Sequence, residues 1–233
     1  MTTHDEPSRP HRDVEPDDRI RREVLDELAW DSHTSAFAIG VAVDHGVVTL
    51  TGTVDSYVQK HAAEAAAHRM AGVLDVANEI HVDVPREHVR SDAGIARAVR
   101  HALEWDVMVP DSRIESAVSD GFVTLTGTVN LLREREDAAG AIRQLTGVRG
   151  VSNHITVAPA NITARELRRA IEDALARRAQ REARHIGVTV HDGVVSLKGR
   201  VHSWEERQAI LGAVGHARGI TAVDDQIRVD PCV

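Results

Sequence analysis

GVVTLTGTV (Gly46 to Val54) returns as GFVTLTGTV (Gly121 to Val129) and once more as GVVSLKGRV (Gly193 to Val201). With the first glycine of each stretch set to zero, a second follows at +6 (Gly52, Gly127, Gly199) and a third at +26 (Gly72, Gly147, Gly219). A leucine stands at −18 in every copy (Leu28, Leu103, Leu175). Markers at identical offsets are the signature of repeated architecture. The pitch is 75 and then 72 residues, so each copy is a small domain rather than one turn of a solenoid.

Working outward from the glycine stretch, each copy reads as helix, strand, strand, helix, strand. Ile20, Val24 and Leu28 are spaced by four, as are Ile95, Val99 and Leu103, and Leu167, Ile171 and Leu175, which puts each trio on one helical stripe. Asp18, Ser91 or Asp92, and Thr163 suit helix N-caps, and Thr163 with Glu166 fits a capping box. Alternation at Ile39, Val41, Val43 and their counterparts predicts a half-buried strand. The turns at His45-Gly46, Asp120-Gly121 and Asp192-Gly193 reverse it into a hairpin. The +6 glycine shares parity with the core residues of the second strand, which predicts close approach of a helix to the sheet there, or a bulge. The second helix buries a stripe of small residues, Ala63, Ala66, Ala67 and Met70 in the first copy, and the +26 glycine suits its C-cap. A third strand, reached by one helical crossover, lies parallel to the second and makes the sheet mixed.

The predicted class is therefore α+β: three tandem αββαβ units, each two helices packed on a three-stranded mixed sheet. Residues 1–16 read as a disordered tail, and the units span 17–85, 91–158 and 162–231. Units this small have little interior, so the short linkers predict partial fusion of neighbours.

Composition narrows the function. No apolar run approaches the ~20 residues of a membrane span. The N-terminal stretch has no apolar segment of the signal-peptide kind, so the expected location is cytoplasmic, peripheral at the inner membrane surface at most. The single cysteine, Cys232, excludes an intramolecular disulfide and a cysteine-built zinc site. A net charge of −8 and 3% aromatics argue against nucleic-acid binding by bulk charge or base stacking. Fourteen histidines lack metal-ligand spacing, and no nucleophile elbow, P-loop or dinucleotide fingerprint is present. No catalytic residue, metal or cofactor is assigned.

The αββαβ layout, the G-x-V-x-L-x-G-x-V strand and the endings Gly72-Val73-Leu74-Asp75-Val76-Ala77-Asn78-Glu79-Ile80 and Gly147-Val148-Arg149-Gly150-Val151-Ser152-Asn153-His154-Ile155 resemble the BON domain (bacterial OsmY and nodulation). The third copy ends Gly219-Ile220-Thr221-Ala222-Val223-Asp224-Asp225-Gln226-Ile227, with Asp225 in place of the asparagine. The resemblance implies a non-enzymatic module, associated with osmotic and envelope stress, that binds phospholipid surfaces.

Three features are candidates for contact. The +32 side chains, Asn78, Asn153 and Asp225, point inward and either hydrogen-bond backbone where the second helix ends or line a small site. Trp30 and Trp105 share offset −16 and either close the end of the first helix or serve as interfacial anchors. Residues 161–233 carry 12 Lys and Arg against 10 Asp and Glu, while the remainder carries 16 against 26. The excess clusters at Arg177, Arg178, Arg181 and Arg184, a solvated face or a docking patch for anionic headgroups or an acidic partner. The first expectation is weak binding to phospholipid or envelope-linked surfaces under stress. The alternative is a soluble scaffold or oligomeriser that binds protein, and the oligomeric state stays open.

Overall fold

The computed structural model describes residues 14–32, 34, 38–160, 162–178 and 186–229. In the first copy, α1 (Val14–Trp30) precedes β1 (Gly40–Asp44), β2 (Val47–Thr51) and β3 (Thr53–Val54), and α2 (Tyr57–His68) crosses over to β4 (Asp75–Asn78) and β5 (His81–Val82). The second copy runs α3 (Asp92–Trp105), β6 (Ile114–Ser119), β7 (Phe122–Val129), α4 (Leu132–Arg143), β8 (Gly150–Val157). The third runs α5 (Ala164–Arg178), β9 (Gly187–His191), β10 (Val194–Val201), α6 (Trp204–Gly215), β11 (Ala222–Val229). The class is α+β.

Each central strand pairs antiparallel with the strand before it and parallel with the strand after it, as in Val123 opposite Val118 on β6 and Val151 on β8. Val48, Leu50, Val123, Leu125, Val195 and Leu197 on the central strands are fully buried beneath the helices. Their neighbours in sequence face outward, so each sheet is covered on one side.

The hairpin turns have positive φ at both central residues: 51° and 79° at His45-Gly46, 50° and 81° at Asp120-Gly121, 49° and 80° at Asp192-Gly193. That is the type I′ geometry whose twist matches a β-hairpin. In two copies the first helix grips this turn. The Asp17 carboxylate accepts from the His45 and Gly46 N–H groups at 2.8 and 3.0 Å, and Asp92 accepts from those of Asp120 and Gly121 at 2.9 and 3.0 Å. Copy three has Ala164 at that offset.

Some local expectations hold and others shift. Ser91 caps α3 by accepting from the Gly94 N–H, and Thr163 and Glu166 exchange hydrogen bonds as a capping box. Asp18 does not cap α1, because the helix already starts at Val14. The +26 glycines, with φ of 90°, lie beyond the C-cap residues Arg69, Gln144 and His216, in the turn that leads to the last strand. Gly127 is crowded by a strand rather than by a helix. Its φ is 135°, and a Cβ there would stand 2.1 Å from the Arg113 carbonyl oxygen, at the entry to β6.

Burial divides the cores unevenly. Units 2 and 3 share one continuous apolar cluster running from Ile95 and Leu125 to Leu197 and Ile210. Unit 1 keeps its own, around Leu28, Leu50, Ala66 and Ile80, and among the described residues sends only Tyr57 to pack against the shared one.

The three second helices meet head to tail. His68, at the end of α2, stacks on Trp204 at the start of α6, with ring centroids 3.9 Å apart. At the end of α6, a Cβ on buried Gly215 would lie 3.8 Å from the Glu136 carboxylate and 3.9 Å from the Arg133 nitrogen, both in α4. At the end of α4, the Arg143 guanidinium sits 2.7 Å from the His61 ring of α2. The same offset, +22, supplies His68, Arg143 and Gly215, so equivalent surfaces close a ring.

Replacing Gly127 with alanine should destabilise the protein by about 1–3 kcal/mol, since it forces a side chain into a left-handed conformation against backbone. Urea denaturation checks this. An unchanged midpoint would mean that the neighbouring strand yields without cost.

Candidate functional site

The +32 residues tie the last strand to the second helix. Asn153 Nδ2 donates to the Arg135 carbonyl at 2.7 Å, and its Oδ1 accepts from the Ile155 N–H at 3.2 Å. Asn78 repeats the pattern with the Lys60 carbonyl and the Ile80 N–H, and also donates to Glu64. An aspartate cannot donate, so Asp225 accepts from the Ile227 N–H at 2.9 Å and from the Arg207 side chain at 2.8 Å. Lys60, Arg135 and Arg207 share offset +14, in the first half of the helix. These side chains therefore stitch near the start of the helix rather than at its end, and their polar atoms are engaged within the fold.

The histidines are dispersed. His45 lies in the first hairpin turn and His191 ends β9, beside Asp44 and Asp192 at 2.7 and 3.1 Å. Among the described residues no group of three His, Cys, Asp or Glu side chains is placed to hold a metal ion.

Trp30 and Trp105 do not close the ends of their helices. They are 87% and 76% exposed, so the packing expectation fails. Trp105 opens an apolar tip. The Asp106 side chain accepts from the Met108 N–H at 2.9 Å, and the Asp106 carbonyl accepts from the Val109 N–H at 3.0 Å. That turn buries Val109 and leaves Val107 95% and Met108 59% exposed. Water disfavours such a cluster, and exposed apolar patches mark contact sites. The sequence signal was present just after Trp105, in Asp106-Val107-Met108-Val109: three apolar residues behind an aspartate, without helical or strand period.

Arg177 and Arg178 end α5, but their side chains, together with all of Arg181 and Arg184, lie outside the described residues. Among the described residues, no helix is long and apolar enough to cross a membrane.

The family model for the BON domain matches the chain three times, at residues 16–84, 91–159 and 163–231. The osmotically-inducible protein Y of Escherichia coli (strain K12) is 29% identical over 143 residues, covering 60% of this chain and 71% of that protein. An uncharacterized protein of the gshII 5′ region of Anaplasma centrale is 29% identical over 121 residues, covering 51% of this chain and 80% of that one. Among solved structures, the C-terminal domain of CdsD, a structural protein of the type III secretion system of Chlamydia trachomatis, is 12% identical with a TM-score of 0.26, covering 90% of this chain and 96% of that one.

Truncating Asn153 to alanine leaves the Ile155 N–H without its acceptor and should cost about 1–3 kcal/mol. Asn153→Asp should cost less, because Arg135 occupies the position from which Arg207 serves Asp225. Thermal melts of both variants check the order, and equal losses would show that Arg135 does not take up that role.

Proposed function

The chain belongs to the BON-domain family, in three tandem copies, and on that premise we propose that it binds anionic phospholipid surfaces weakly and reversibly as part of an osmotic-stress response. The observation that carries this reading is the exposed tip of Trp105, Val107 and Met108. An indole with both an apolar face and an N–H suits the headgroup boundary, where aromatic residues concentrate.

The ring supports the same reading. A closed arrangement of three equivalent units sets equivalent positions at one level along its axis. Offset −16 is Trp30 in unit 1, Trp105 in unit 2 and Arg177 in unit 3. On this reading the two tryptophans address one surface together. The rest of the chain is acidic and is repelled by anionic lipid, so attachment depends on that side alone. At about 1 kcal/mol per basic residue near such a surface, Arg177, Arg178, Arg181 and Arg184 contribute ~4 kcal/mol before opposing terms. That corresponds to roughly millimolar affinity, lost as salt screens charges over ~8–10 Å.

Co-sedimentation with phosphatidylglycerol-containing vesicles at low salt tests the proposal. Wild type should pellet, Trp105→Ser/Val107→Ser/Met108→Ser should bind about tenfold less, and changing the four arginines to glutamine should abolish binding. If wild type stays in the supernatant, or if both variants pellet as it does, the lipid reading fails and a protein-binding scaffold takes its place.

A further inference from the structure

The head-to-tail helices enclose a solvent-connected chamber of about 680 Å³, lined by His61, Glu64 and His68 from α2, by Arg133, Glu136 and Arg143 from α4, and by Trp204 and Gln208 from α6. Its three corners are chemically unequal. Where α6 meets α4, the joint lies over the apolar cluster that units 2 and 3 share. At each of the two corners that hold unit 1, the side chain from α2 is a histidine.

The His61 contact requires the uncharged ring, and at His68 a proton would add a buried N–H with no acceptor among the described residues. An arginine nitrogen can only donate, so at 2.7 Å from Arg143 Nη1 the His61 Nε2 must accept, which an imidazolium cannot do. His68 lies flat on Trp204, with 5° between the rings, and its buried Nδ1 has no hydrogen-bond partner among the described residues. The Arg207 guanidinium is 4.4 Å from the centroid of the same indole.

We propose that unit 1 is an acid-releasable module, held on the fused pair of units 2 and 3 by two neutral histidines and freed when they take up protons. A proton on His61 removes its acceptor and sets two cations against each other across the α2–α4 corner. A proton on His68 places a half-buried cation near Arg207.

The surrounding charges agree in sign. Burial lowers the His61 pKa, Arg143 lowers it further, and Glu64 opposes. Burial likewise lowers that of His68, with Glu64 and Asp75 opposing and Arg207 and His61 assisting. Docking strength is therefore complete above the ordinary histidine pKa of about 6.5 and is lost as pH falls through and below it. Each histidine weakens docking by up to about tenfold per pH unit. The corner between units 2 and 3 responds in the opposite direction. Desolvation raises the Glu136 pKa against the pull of Arg133, Arg135 and His216, with Asp137 adding to the rise, so acid relieves a charge there. Acidification loosens unit 1 and leaves the pair intact.

Small-angle scattering of the full chain, extrapolated to zero concentration and titrated from about pH 7.5 to about pH 5, tests this across the range where histidine changes charge. The radius of gyration should rise reversibly below about 6.5 while far-ultraviolet circular dichroism stays constant. His61→Gln/His68→Gln should remove the transition, and Arg143→Met, which takes away the cation facing His61, should move it to lower pH. A radius that never changes, or a wild-type titration in both variants, overturns the proposal. Should the double variant already be open at the starting pH, the histidines are the contact and the Arg143→Met midpoint decides whether their protonation controls it.

Discussion

Parallel pairing between the central and last strands is the constraint on which each unit depends. A tight turn can join antiparallel strands, but parallel neighbours require a crossover long enough to return the chain to the starting end of the sheet. The second helix is that crossover. Its inner face is built from small side chains, Ala63, Ala66 and Ala67 in unit 1, all fully buried against the sheet. The polar stitch from Asn78, Asn153 or Asp225 holds the returning strand to the first half of the same helix.

Once the helix lies over the sheet with a set polarity, its outer face is what a neighbouring unit meets. Offsets +15 and +22 are two helical turns apart on that face. They carry His61 and His68 in unit 1, Glu136 and Arg143 in unit 2, Gln208 and Gly215 in unit 3. The geometry of the ring repeats and the chemistry of its corners does not. Buried Gly215 lets two helices approach closely over a common apolar core, whereas the histidine corners are polar and sensitive to charge. An interior as small as that of one unit gains from such sharing, which is why units 2 and 3 have merged and unit 1, from whose described residues only Tyr57 is inserted, is the more separable part.

Much of this was legible in the residues. Three glycine offsets, the four-residue spacing of Val99 and Leu103 and the alternation of Val123 and Leu125 report local periodicity, and local periodicity follows from backbone geometry alone. The apolar tip was half legible. Trp105 is visible as an aromatic at the end of a helix, but whether it folds inward depends on how Asp106 turns the backbone after it. Asp17 and Asp92 were visible only as acidic residues near helix starts. Their hold on the turns at Gly46 and Gly121 spans 29 residues and belongs to the packed unit.

The sequence by itself therefore determined the repeat, the order of elements, the hairpin turns and the buried stripes, because each is set by side-chain spacing along one stretch of chain. Only the tertiary structure decided why Gly127 must be glycine, since the Arg113 carbonyl that crowds it comes from the turn leading into β6. It also decided which helix ends meet. His61 and Arg143 are 82 positions apart, and no periodicity connects them. They are neighbours because each unit presents the outer face of its crossover helix, and three such faces close on one another.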